Sequence, residues 1–91
     1  MNIALSSADA NGTVTATNRG DDKAEGLSVE IDGAGASRLA DDSFDLSVGE
    51  TVQVLTLPDD GPARRITVDV RHGEDVVASK VYPVPFSMDH D

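Results

Sequence analysis

Ser43, His72 and Asp45 are the residue types of a nucleophile, a base and an orienting acid, but no Gly-x-Ser-x-Gly elbow holds any serine in a strained turn. Acyl-transfer chemistry is therefore not expected of them. The two histidines, His72 and His90, lack the paired spacing of a zinc site, and the chain has no cysteine to supply a thiolate. Calcium fits the residue types better. The run Asp41-Asp42-Ser43-Phe44-Asp45 and the triplet Asp59-Asp60-Gly61 put hard oxygen donors into segments that read as loops, making Asp41, Asp45 and Asp59 the candidate ligands. Neither run follows the Asp-x-Asp-x-Asp-Gly order of a calcium loop, so no metal is expected to be required. Catalysis by two carboxylates needs one acid in an apolar setting. Here the acids sit in turns or, like Glu30 and Asp69, on outward positions of strand-like segments. No Gly-rich segment follows a strand and opens a helix to cradle phosphate. The residues thus point to no catalytic group and no cofactor.

The elements that would have to position any site are short. Ninety-one residues allow one small domain and leave no room for a catalytic barrel. Seventeen Asp and Glu oppose seven Lys and Arg, and a net charge of -10 repels nucleic acid and anionic membrane surfaces. Leu, Ile, Val and Phe make up 22 of the 91 residues, just above the level at which a charged chain stays unfolded, so a thin core is expected. Thirteen of the acids are Asp and only Lys23 and Lys80 are lysines, a balance similar to that of proteins adapted to high salt. No segment reads as a signal peptide or a membrane span, which favours a cytoplasmic location over export. The Asn11-Gly12-Thr13 sequon has meaning only in an exporting host.

Turn signals recur at Asn11-Gly12, Asn18-Arg19-Gly20, Asp32-Gly33, Val48-Gly49-Glu50, residues 58–62 and His72-Gly73-Glu74. Between them lie alternating runs rich in Val, Ile and Thr, and helical periodicity is absent. Strands are predicted at residues 2–6, 13–18, 27–31, 44–46, 51–57, 66–71 and 76–84. Their inward residues are Ile3 and Leu5; Val14 and Ala16; Leu27, Val29 and Ile31; Phe44 and Leu46; Val52 and Val54, with Leu57 a further candidate; and Ile66, Val68 and Val70. Asn11-Gly12 is predicted to join the first two as a tight turn, and residues 34–42 to cross between sheets as a connection. The last strand offers two faces, one with Val77, Ser79 and Val81, the other with Val76, Ala78, Lys80 and Tyr82, and Pro83 and Pro85 place its end at a sheet edge. About seven antiparallel strands with turns every 8 to 12 residues predict an all-β fold, an immunoglobulin-like sandwich of two sheets over residues 1–85, with 86–91 as a tail. With no tryptophan, a glycan could stack only on Phe44, Tyr82 or Phe86. Phe44 reads as core, whereas Tyr82 and Phe86 are candidates for an interface patch.

The stretch Asp41-Asp42-Ser43-Phe44-Asp45-Leu46-Ser47-Val48-Gly49-Glu50 resembles the Ser-Asp-Asn-Tyr-Phe-Asp-Leu-x-Pro-Gly-Glu segment in the C-terminal immunoglobulin-like domain of β-mannosidases and related family 2 glycoside hydrolases. Asp41, Phe44, Asp45, Leu46, Gly49 and Glu50 match, while Val48 stands where that family has proline, Ser43 where it has an aromatic and Asp42 where it has asparagine. Upstream, residues 14–21 are similar to a strand and Asn-x-Gly-Asp turn common in such sandwiches. In that family the domain packs near the catalytic barrel and carries neither the acid nor the nucleophile. The resemblance therefore implies a non-catalytic accessory domain, whose partner is the catalytic domain of a parent glycoside hydrolase and whose role is interdomain packing. The alternative is an independent carbohydrate-binding or adhesion sandwich with a glycan as ligand. Neither nucleic acid nor a membrane is expected as a partner.

Overall fold

The computed structural model describes residues 1–86; His90 and the rest of the expected tail beyond Phe86 lie outside the described residues. Eight strands follow one another, with no helix among them: β1 (Ile3–Leu5), β2 (Thr13–Asn18), β3 (Ala24–Asp32), β4 (Ser37–Arg38), β5 (Phe44–Leu46), β6 (Thr51–Thr56), β7 (Arg64–His72) and β8 (Asp75–Val84). One antiparallel sheet has the order β1-β2-β6-β4 and the other β5-β3-β7-β8. The fold is an all-β, immunoglobulin-like sandwich, as the alternation and turn spacing predict.

The extra strand comes from the connection between the predicted third and fourth strands. Ser37 and Arg38 pair with Thr56 and Leu55 of β6, and six residues later the same stretch joins the other sheet as β5 beside Ala24 and Leu27. The chain thus changes sheets along that side, and Arg38 Nη1 reaches back 2.6 Å to the carbonyl of Val29, on the edge of β3 that β5 leaves uncovered. A two-residue strand without apolar alternation has no sequence signature.

Three register shifts reset the alternation, two of them in β2–β6 and β3–β5. In the β2–β6 ladder Val14 pairs with Leu55 but Thr15 with Gln53, so Val54 is the extra residue. Val54 and Leu55 are both fully buried, so strict alternation misses Leu55, while Leu57 faces inward as its candidacy suggested. In β3, Ala24 pairs with Leu46 and Leu27 with Phe44, so Glu25 and Gly26 together face Asp45. Gly26 takes φ +68 there, a backbone state closed to most side chains. This bulge starts β3 three residues earlier than the clean alternation of Leu27, Val29 and Ile31.

The core lies between the sheets, with Val14, Leu27, Leu46, Leu55, Ile66 and Val68 among its fully covered side chains. β8 uses the face of Ala78, Lys80, Tyr82 and Val84, since these pair with Val70, Val68, Ile66 and Arg64 of β7. Val76 falls out of that series because the register shifts between Val70 and Arg71. Among the described residues no helix is long and apolar enough to cross a membrane.

Candidate functional site

A cleft of about 790 Å³ lies at one end of the sandwich. Four pieces of chain build it: the β1–β2 connection, the start of β4, the exit of β6 into residues 57–60, and Phe86 after β8. Each is pinned. Asp9 closes the first, its carboxylate accepting from the amides of Asn11 (2.8 Å) and Thr13 (2.9 Å) and its carbonyl accepting from Gly12 (3.0 Å). The Asn11-Gly12 pair thus sits in a tight turn over residues 9–12, closed by the Gly12 N to Asp9 O bond, at the tip of a longer connection that Asp9 organises. The amide of Leu57 donates to Gly12 O (2.8 Å) and that of Phe86 to Pro58 O (2.6 Å). The Phe86 ring lies over Gly12, where a Cβ would come within 3.2 Å of it. Arg64 ties the remaining loops together, donating to Ala34 O (2.9 Å) and to Pro62 O (2.7 Å).

The residues that line the cleft include the polar Asn11, Ser37, Thr56, Asp59 and Asp60 and one aromatic, Phe86. They can accept and donate hydrogen bonds, and no histidine is among them.

The sequence candidates scatter. Asp45 is exposed, and its Oδ1 accepts from the amide of Gly26 at 2.9 Å, capping the donor that the bulge frees. Asp41 is exposed in the connection before β5, whereas Asp59 belongs to the cleft at the opposite end, so the three calcium candidates do not converge. Among the described residues no group of three His, Cys, Asp or Glu side chains is arranged to hold a metal ion. His72 and Asp45 stand on strands that flank β3 on either side, about 9–10 Å apart by strand spacing, too far for a hydrogen bond. Tyr82 is a core residue at 4% exposure, contrary to an exposed patch. The reason is its phase: it sits opposite Ile66, and its hydroxyl donates to Ser6 O at 2.6 Å, joining β8 to the segment after β1. Burial pushes its phenol from 10.0 up to about 12. Phe86, half-buried, remains at the surface between the cleft and a small apolar groove beside Tyr82 and Pro83. The cleft itself was not legible in the sequence, because Asn11, Ser37 and Asp59 are far apart in the chain and ordinary loop residues in it.

No protein-family model, curated protein or solved structure gives a significant match to the chain.

Proposed function

We propose that the chain is a non-catalytic immunoglobulin-like accessory module, of the kind that packs beside the catalytic domain of a β-mannosidase-type glycoside hydrolase. The observation that carries this reading is that four of the six matched residues of the Asp41-to-Glu50 segment, Asp45, Leu46, Gly49 and Glu50, do structural work. Leu46 is core, at 1% exposure. Asp45 caps the bulge of β3. Glu50 closes the turn after β5, its Oε1 accepting from Ser47 N (2.8 Å) while its own amide donates to Ser47 O (2.9 Å). Gly49 takes φ +81 in that turn, the state a type II turn requires at its third position. Such a segment specifies a scaffold and leaves no reactive pair.

The supporting surface is the apolar groove of about 240 Å³ where Ala8, Leu57, Tyr82, Pro83 and Phe86 meet, beside Val81, which is 51% exposed. An apolar surface of this kind suits a neighbouring domain. The test mixes the purified chain with a β-mannosidase-type catalytic domain stripped of its own terminal sandwich. Co-elution and a higher melting temperature of the catalytic domain are expected, with no glycosidase activity in the chain alone. Absence of both effects overturns the reading. The alternative of an independent carbohydrate-binding sandwich is favoured by a different observation, the polar cleft at the loop end.

A further inference from the structure

From the cleft between residues 9–12, Ser37, residues 56–60 and Phe86 we infer a binding site for a neutral polyhydroxylated ligand, a saccharide unit at the end of a glycan. The inference deepens the carbohydrate-binding alternative and does not rest on the accessory role.

The argument begins with size and shape. About 790 Å³ falls within the roughly 300–1,000 Å³ of small-molecule sites. A sugar presents hydroxyls that donate and accept at once, together with an apolar face of C–H groups. The cleft matches both. Carboxylates on Asp59 and Asp60 accept from hydroxyls by charge-assisted hydrogen bonds, Asn11 can donate and accept through one amide, and Ser37 and Thr56 add hydroxyls. None of these five side chains has a hydrogen-bond partner among the described residues, so their capacity is unspent. Phe86 supplies the apolar surface for the C–H face.

Charge narrows the ligand class. Two carboxylates in the wall of a chain carrying a net charge of -10 oppose phosphate, sulfate and uronate groups. A divalent cation needs several converging acids, and none converge among the described residues. A polyamine would use Asp59 and Asp60 but leave the two hydroxyls, the amide and the ring without a role.

The cleft is also held in place before a ligand arrives. Arg64 bonds to the carbonyls of Ala34 and Pro62, fixing residues near Gly35 on one wall and Asp60 on the other. The bonds from Leu57 to Gly12 and from Phe86 to Pro58 fix the other two walls. The ordering left to oppose binding is that of the side chains, since these bonds hold the backbone that carries them.

The test is a proton-nitrogen NMR titration of the full chain with mannose, glucose and cellobiose, with glucuronate and spermidine as charged probes. Saturable shifts are expected at the amides of Asn11, Ser37, Asp59 and Asp60 with a neutral sugar and not with glucuronate. Phe86→Ala and Asn11→Ala should each weaken binding about fivefold or more while peak dispersion persists. Asn11 is exposed, so its variant keeps the test valid should Phe86→Ala unfold. Shifts absent with every sugar, shifts spread over the sandwich, or shifts with spermidine alone overturn the site. Sugar binding without docking to a catalytic domain retains this site and removes the accessory role; docking without sugar binding does the reverse.

Discussion

The side-chain amide of Asn18, at 1% exposure, donates to the backbone carbonyl of Leu46 in the opposite sheet at 3.0 Å. The same nitrogen donates to Asp22 O (2.9 Å), and Asn18 Oδ1 accepts from Gly20 N (2.9 Å), so one buried polar group ties β2, β5 and the loop between β2 and β3 together. Every hydrogen of that amide is used, which makes its burial favourable instead of costly.

Asn18→Ala should therefore lower unfolding stability by about 2–3 kcal/mol, because two carbonyls lose their donor in a buried site. Asn18→Asp should cost at least as much near neutral pH, since a carboxylate would face two carbonyl oxygens, and part of that loss should return in acid. Urea unfolding midpoints at both pH values check this; equal midpoints for all three proteins would remove the cross-sheet tie.

Asp45 caps the bulge of β3, accepting from Gly26 N. Asp45→Ala should cost about 1 kcal/mol, and Gly26→Ala about 1–2 kcal/mol for forcing a side chain into positive φ. Adding calcium or a chelator should leave the melting temperature of the unmodified chain where it was. A calcium-dependent rise that vanishes in Asp45→Ala would restore the ligand role.

Tyr82 is the only tyrosine, so phenolate absorbance reports it alone. Its phenol ionises at 10.0 when exposed and at about 12 in the fold, where burial disfavours the charged form. The unfolded chain thus gives up its proton first as pH rises. The contribution is fully present below the unfolded value and disappears as pH climbs from about 10 to about 12. The absorbance titration should rise late and together with unfolding, and Tyr82→Phe should flatten the alkaline loss while costing about 1 kcal/mol at neutral pH for the Ser6 bond. Titration near 10 in the folded state would show that the ring is not buried.

Lys80 stands opposite Val68 on the core-side face of β8, an edge strand, with its Nζ 6.0 Å from the centroid of the Tyr82 ring. An inward-facing charge on an edge strand deters pairing with a second sheet. Lys80→Val should raise self-association in sedimentation experiments at concentrations where the unmodified chain stays monomeric. An unchanged distribution would mean that Pro83 and the acidic surface suffice.

Glu30 and Asp69 are directly opposed on the outer face of β3 and β7, with Arg71 reaching Glu30 at 3.3 Å and Ser79 donating to Asp69 at 2.6 Å. Asp69→Asn should stabilise the fold in dilute buffer by a few tenths to about 1 kcal/mol, since it removes a like-charge pair but keeps an acceptor for Ser79. In molar potassium chloride, where screening acts over about 3 Å, most of that gain should vanish. A gain independent of salt would rule out repulsion as its source.

Strand identity was local information. Leu27 and Val29, with Ile31 half-buried against them, and Ile66, Val68 and Val70, face the core as their period of two requires, because a half-buried sheet sorts alternate side chains whatever lies across from it. The Val48-Gly49-Glu50 turn is likewise carried by a glycine whose backbone freedom is intrinsic. What depends on a partner strand was not readable: the bulges at Val54 and Gly26 exist only through the register with β2 and β5, and the face of β8 was settled by its pairing with β7. Tyr82 was accordingly placed in the core by register, although its type and neighbours suit a surface patch equally well. The cleft is the extreme case. Asn11, Ser37, Asp59 and Phe86 carry no shared spacing, and only the closure of two sheets over one core brings their loops to the same end.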